Sequence, residues 1–305
     1  METSASENSP LVILNPAANR GDMAHYREVV RNRTEREHAE YIETTRQGEA
    51  KILAERAAEE GRPVIIVGGD GSIHEVANGI LSSRRRVPLG IVAAGNGNDY
   101  AWNTLQLSHD PTEAIERAFT GRLVDADAGI VNEEYFANSF SVGLDANIAV
   151  VAERLKTLPF MSGARLYYSA TLQQLMFGYH HCPWLTLRLD AGQPAGEQQA
   201  ERYVVLAVTI GPTYGAGFRI NPSADYCDGL LDICMIRYMP LLRALKLLPI
   251  VQKGEHTHLP EATFCRTKSV YIQAQQPLNV QMDGEIGKAT SFDVSILPGA
   301  LWVRV

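Results

Sequence analysis

Three times between residues 11 and 105 the chain runs a strand-like apolar segment into a polar or glycine-rich turn and then into a helical pattern. LVILNPAANRG leads into DMAHYREVVRNR, VIIVGGDGSIHEVANGI spans 64–80, and VPLGIVAAGNGNDYAWNTL spans 87–105. Runs of β-branched residues read as strand, and apolar residues returning every three or four positions read as helix. Such alternation predicts a parallel sheet with right-handed helical crossovers and each loop at the carboxyl end of its strand. Ligands of such open sheets bind beyond those strand ends, so the three loops are expected to meet at one crevice.

A glycine-rich turn between strand and helix lets an anion approach the backbone and presents N–H groups and the positive helix end to it. Gly68, Gly69, Asp70, Gly71 and Ser72 fit that plan, and Gly95, Asn96, Asn98 and Asp99 form a second such loop. The GxxxxGK[ST] pattern has no lysine to complete it here, and GNGNDY at 95–100 begins GxGxxG without finishing it. Glycines that merely turn the chain are the alternative for either loop alone; two loops at successive strand ends weigh against it. Asn98 and Asp99 read equally well as helix caps. Asp70 does not, because Ser72 is available to cap the same helix. An acid inside a phosphate-binding turn suits the orientation of a metal or a substrate hydroxyl, which points to phosphoryl transfer without a P-loop.

After Asp125 short alternating runs such as YFANSFSVG, WLTLRLD, RYVVLAVTIG, LLDICMI and KSVYIQA predict an antiparallel β-rich second domain. Helical segments at 164–179 and 241–252 interrupt it, and AGQPAGEQQAE reads as a hairpin tip or loop. The four cysteines show no CxxC pairing and are expected to be buried free thiols. A net charge of -7 argues against general nucleic-acid binding, and Arg84, Arg85 and Arg86 read as a solvated loop before a strand beginning at Val87. METSASENSP lacks a basic n-region, and LVIL is shorter than the roughly 7 apolar residues of a signal peptide, so a cytoplasmic protein is expected. MPLLRALKLLPIV, broken by Arg243 and Lys246, falls short of the roughly 20 residues of a membrane span. Residues 238–251 are open to two readings, a helix packed on the second domain or a segment resting transiently at a membrane surface. His256 and His258 read as surface residues, since no third zinc ligand accompanies them.

GGDGS with IHEVANG, and LGIVAAGNGNDYA, resemble the GGDGT and PxGTxND blocks of the diacylglycerol kinase catalytic-domain family, which includes soluble bacterial lipid kinases and the sphingosine and ceramide kinases. ILNPAANRG resembles that family's NPxxGxG nucleotide loop. VDADAGIVNEEYFANSFSVGLDANI, NPSADYCDGLLDI and VQMDGE match the remaining blocks in order, so the resemblance spans nearly the whole chain. It implies an α/β plus β fold. An N-terminal α/β nucleotide-binding domain with a parallel sheet would be followed by a C-terminal antiparallel β-sandwich, the final strand returning to the first domain. The corresponding division is 1–125 with 293–305, and 126–292.

The resemblance further implies ATP in the cleft, a lipid hydroxyl as acceptor with diacylglycerol first, and Mg²⁺. Asn15 would contact the nucleotide, and Gly69, Asp70, Gly71 and Ser72, with Gly68 beside them, the phosphates and their metal. Gly95, Asn96, Asn98 and Asp99 would form the far side. Asp283 and Glu285 would face the transferring phosphate, Asp283 as base with Asp70 as its rival. Without the other blocks, MDGE reads as a hairpin turn. Asp225 and Asp228 with the Leu230 carbonyl would hold a structural Mg²⁺; taken alone they read equally as an acidic turn. Asn96 and Ala93 replace the family's Thr and Pro, which bears on substrate choice or activity, and Asn19 replaces a glycine at a turn that asparagine tolerates. The rival functions are an NAD kinase, whose family also uses GGDG, and a non-catalytic nucleotide-binding regulator. Edge strands of the second domain leave a homodimer open.

Overall fold

The computed structural model describes residues 9–83, 85–155, 158, 160, 163–190, 200–215 and 217–305. Arg84 and nearly all of the expected hairpin tip lie outside them.

The first half contains β1 (Leu11–Leu14), α1 (Ala24–Arg36), β2 (Glu40–Glu43), α2 (Glu49–Glu59), β3 (Val64–Gly68), α3 (Asp70–Ser82), β4 (Pro88–Ala93) and α4 (Pro111–Thr120). β1 pairs in parallel with β2 and β3, and β3 with β4. Every residue of β1 and β3 is buried, because helices cover both faces of the sheet. Leu11 and Ile13 pack with Ala54, Ile73 and Ile80 of α2 and α3. Val12 and Leu14 point the other way, toward Val30 of α1 and Ile115 of α4. The unbroken apolar runs in the sequence are therefore two alternating faces, each with its own core.

The second half contains β5 (Leu123–Val131), β6 (Glu134–Phe136), β7 (Ser139–Gly143), α5 (Leu144–Leu155), α6 (Gly163–Gln173), β8 (Trp184–Leu189), β9 (Glu201–Thr209), β10 (Leu231–Arg237), α7 (Leu241–Lys253), β11 (Ala262–Thr267), β12 (Ser269–Met282) and β13 (Glu285–Arg304). Its pairings are antiparallel, among them β7 with β9 and β12, and β10 with β9 and β11. β13 joins the two halves: Phe292, Val294 and Ile296 pack in the second core, and Leu301 and Val303 in the first, where Trp302 and Val303 lie parallel to Pro88 and Leu89 of β4. Between these stretches the pairing with β5 shifts register. Buried Asp127 secures the irregularity by accepting the N–H of Gly299 at 2.7 Å and that of Gly229 at 2.7 Å.

Several local expectations need correction. His256 is fully buried rather than on the surface: its Nε2 lies 3.1 Å from the Ile220 carbonyl, and its ring centroid is 5.4 Å from that of Phe264. His258 is exposed. All four cysteines are free, but only Cys182 and Cys234 are buried; Cys265 is half-buried and Cys227 exposed. Arg86 of the basic run pairs with Asp125 and lies 4.5 Å over the Trp302 ring. α7 buries Leu247 and leaves Leu242 75% exposed. Among the described residues no helix is long and apolar enough to cross a membrane.

Candidate functional site

The three loops meet. Asn15, just beyond β1, accepts the Ala17 N–H at 2.9 Å and donates from Nδ2 to Ser72 Oγ at 2.8 Å. Ser72 is thus occupied by the neighbouring loop and does not cap α3, whose N-cap is Gly69. The glycines allow the contact between loops. A Cβ on Gly95 would lie 2.6 Å from the Gly69 Cα, closer than real atoms approach.

Asp70 Oδ2 accepts the Asn98 N–H at 2.6 Å, tying the second loop to the start of α3. Asn98, at φ 55°, turns its buried side chain back on its own loop, accepting from Gly95 N at 2.9 Å and donating to Gly95 O at 2.7 Å. Asp99 Oδ1 accepts from Asn103 Nδ2 at 3.0 Å and from Gly217 N at 2.8 Å. The cap reading of this pair is therefore corrected. Asn98 locks the loop, and Asp99 holds the 99–104 turn and reaches the second half of the chain. Asn96 is exposed.

MDGE is a hairpin turn as well as a wall of the site. Asp283 and Gly284 both have positive φ, 48° and 96°, as a two-residue type I′ turn between β12 and β13 requires. The Asp283 side chain is 6% exposed. Its Oδ1 accepts from Asn138 N at 3.0 Å and Ser139 N at 2.9 Å, and its Oδ2 from Ala137 N at 2.7 Å. His74 Nδ1 lies 3.2 Å from the same Oδ2. A carboxylate offers about four acceptor positions, and these four donors fill them. Glu285 lies over the glycine turn, its Oε1 3.1 Å from where a Gly71 Cβ would stand and its Oε2 3.4 Å from Gln47 Nε2.

The cleft, of about 120 Å³ and half open to solvent, is lined by Asp70, His74, Asp99, Tyr214 and Asp283 among others, with no lysine or arginine among the described residues. Desolvation, with the nearby charge of Asp99 and a smaller contribution from Asp283, pushes the Asp70 carboxyl up to about 7 against the opposing hydrogen bond from Asn98. Desolvation works against charge on His74 too, yet the hydrogen bond and charge of Asp283 hold its imidazole above the ordinary value.

Beside the cleft lies an apolar pocket of about 90 Å³, partly open to solvent, walled by α5, α7, the end of α6 and the adjoining strands through Leu144, Ile148, Leu175, Val204, Ile236 and Leu247. Tyr214 lines both spaces, and its hydroxyl donates to Asp145 Oδ2 at 2.7 Å. Burial raises the Asp145 carboxyl above the usual range.

Asp225, Asp228 and Leu230 line neither space. Asp228 pairs with Arg266 and accepts the Leu230 N–H at 3.1 Å, Arg266 Nε lies 3.2 Å from Asp232 Oδ1, and Asp225 accepts the Cys227 N–H at 3.1 Å. Among the described residues no cluster of three His, Cys, Asp or Glu side chains is arranged to hold a metal. A guanidinium supplies the counter-charge to Asp228 at this turn, and a hard cation held by Asp225, Asp228 and the Leu230 carbonyl would have to displace it.

His74 and Tyr214 are the residues that sequence reasoning missed. His74 was legible, since it stands four positions after Asp70 and hence on the same face of α3. Nothing local marks Tyr214.

Comparison with known proteins matches the chain to two family domains. The model of the diacylglycerol kinase catalytic domain matches residues 9–131, and that of the YegS C-terminal NAD kinase beta sandwich-like domain matches 138–305. The diacylglycerol kinase of Mycobacterium tuberculosis is 30% identical over 259 residues, covering 83% of this chain and 79% of that one. That of Staphylococcus carnosus is 30% identical over 253 residues, covering 80% and 77%. A crystal structure of a diacylglycerol kinase from Bacillus anthracis matches with a TM-score of 0.73 at 19% identity, over 97% of this chain and 96% of that one.

Proposed function

The chain belongs to the diacylglycerol kinase catalytic-domain family and is a lipid kinase, and from that premise we propose that it transfers the γ-phosphate of ATP to the free hydroxyl of a diacylglycerol, giving phosphatidic acid. The observation that carries the choice of acceptor is the junction at Tyr214. It sets an apolar pocket lined by aliphatic side chains directly beside an acidic, glycine-walled cleft. An acyl chain in the cavity would bring its glycerol hydroxyl toward Asp70 and Asp283, and the nucleotide would lie over the loops at Asn15, Gly69 and Gly95.

The hydroxyl needs a group to take its proton as the phosphate transfers. The resemblance implies Asp283, with Asp70 as rival; the hydrogen bonding supports Asp70. Asp283 is already fully engaged by four donors, whereas Asp70 takes only the backbone N–H groups of Asn98 and Tyr100 and has a carboxyl near 7, close to the operating pH of a good general base. Asp283 then acts as the anchor that fixes His74 and the 137–139 backbone along the cleft wall.

The described residues lining the cleft include carboxylates and no lysine or arginine, and they form no cation cluster of their own, so counter-charge for the nucleotide phosphates would come from a divalent cation brought in with them. Mg²⁺ would be held by the phosphates with Asp99, and it would neutralise charge on the transferring group.

The test is steady-state transfer to short-chain and long-chain diacylglycerols by the wild type and by Ala244→Phe, which fills the cavity. The expected result is a KM raised only for long chains. An equal change for both, or none, would contradict the cavity as the acyl site.

A further inference from the structure

β7 passes into α5 without a loop. Gly143 makes the corner at φ 130°, so close to β9 that a Cβ there would meet the Val204 carbonyl oxygen at 2.5 Å, which only glycine avoids. The corner sets Asp145 in the first turn of α5 and on the wall of the apolar pocket. Among the described residues lining that pocket Asp145 is the sole acid, and no lysine, arginine or histidine balances it. An acid in such surroundings is costly unless its polar atoms are paired.

Its two oxygens differ. Oδ2 accepts the Tyr214 hydroxyl at 2.7 Å, whereas Oδ1 is buried and has no hydrogen-bond partner among the described residues. Ser141, whose hydroxyl also bears on the carboxyl, gives its proton to Gln281 Oε1 at 3.1 Å. A buried polar atom left unpaired costs about as much as a lost hydrogen bond, so Oδ1 marks a place for a ligand atom.

The state of the carboxyl says which atom. Burial pushes it above the usual range, against the opposing pull of Ser141, Tyr214 and the Ala146 N–H. Because Tyr214 gives its own proton to Oδ2, a proton held by the carboxyl lies on Oδ1 and makes that oxygen a donor. A neutral donor among aliphatic side chains suits a neutral acceptor such as an ester carbonyl. The ammonium group of a sphingoid base would instead require the carboxylate. Tyr214 also lines the acidic cleft, so Asp145 stands where a lipid spanning both spaces passes from its hydroxyl-bearing carbon to hydrocarbon. In a diacylglycerol that stretch is an ester.

We propose that Asp145, held by Tyr214 between the cleft and the apolar pocket, donates a hydrogen bond from Oδ1 to an ester carbonyl of the bound lipid and so selects esterified glycerides over their ether counterparts. This inference rests on the acyl-site reading above and adds what that site recognises.

The test is calorimetric titration of the full chain, without nucleotide, with 1,2-dioctanoylglycerol and with 1,2-di-O-octylglycerol, each below its micelle concentration. The second lipid keeps the hydroxyl and both chains but lacks the carbonyls. The proteins are the wild type, Asp145→Asn and Asp145→Leu, and transfer from ATP to both lipids is measured on the same samples. The wild type is expected to bind the diester about tenfold more tightly than the diether, the worth of one good hydrogen bond. Asp145→Asn keeps an acceptor for Tyr214 and a donor for the carbonyl, so it should retain the preference. Asp145→Leu should bind both lipids alike, at the wild-type affinity for the diether, which also reports an intact pocket.

Equal binding of the two lipids by the wild type, or a preference that survives in Asp145→Leu, would overturn the proposal. Loss of the preference in Asp145→Asn would overturn it too, since a carboxylate accepting a hydrogen bond from the ligand would then be at work. Transfer to both lipids with equal affinity would sink ester selection and leave the acceptor reading standing. Preferential diester binding that Asp145→Leu removes, without transfer to either lipid, would support the role of Asp145 while refuting the acceptor.

Discussion

Asp283→Asn separates an anchoring carboxylate from a catalytic one. The native side chain takes Asn138 N and Ser139 N on one oxygen, and Ala137 N with His74 Nδ1 on the other. An asparagine keeps one oxygen for the first pair and turns an NH₂ toward the buried Ala137 N–H, so donor faces donor. His74 can adjust by changing tautomer; the backbone N–H has no such freedom. Leaving one buried donor unpaired costs roughly 1–3 kcal/mol, and removing charge from the remaining bonds adds about 1 kcal/mol, for a total of about 2–4 kcal/mol. Urea unfolding followed by circular dichroism, with turnover measured on the same samples, is the assay. The expected result is an unfolding free energy lowered by that amount, read as a lower urea midpoint at unchanged slope, together with reduced turnover. A variant as stable as the wild type yet inactive would refute the anchoring argument and restore Asp283 as the proton acceptor.

Asp70→Asn should abolish turnover, and it should also raise Tm at pH 8 but not at pH 4. The folded-state carboxyl lies near 7 against an ordinary 3.8, so the native protein loses stability as pH rises through that window, and the amide removes the loss; retained turnover would exclude Asp70 as the base. Buried His256 has its imidazole held below the ordinary 6.5 by desolvation, so it contributes stability above that pH that is lost as pH falls below it. His256→Gln should flatten the decline in Tm from pH 7 to pH 5, and an unaltered slope would place the acid sensitivity elsewhere. Asp228→Ala breaks a half-exposed pair with Arg266 and should lower stability by under about 1 kcal/mol, equally in Mg²⁺ and in chelator. A larger loss in Mg²⁺ would restore the structural cation at that turn.

The parts of the site that could be read from the sequence were those written in consecutive residues. A β-branched run, a glycine turn and a helical pattern place Gly68 to Ser72 at a strand end because each step is local. Asn19 follows the same logic: at φ 46° it occupies the left-handed region in which it replaces a glycine. What escaped depends on residues distant in the chain. Ser72 looks like a cap until Asn15, 57 positions away, takes its hydroxyl. Asp99 looks like a cap until Gly217 reaches it across the cleft. Tyr214 acquires meaning only where two cavities share it. His256, flanked by polar residues, was misjudged because the Ile220 carbonyl and the Phe264 ring that enclose it come from other segments.

The most direct test of the central claim is transfer of labelled γ-phosphate from ATP, with and without Mg²⁺, to mixed micelles of diacylglycerol, phosphatidylglycerol or a sphingoid base, with NAD as a competing acceptor. The account expects Mg²⁺-dependent label on diacylglycerol and none on NAD. Label on NAD, or ATP bound with no lipid labelled, would contradict it.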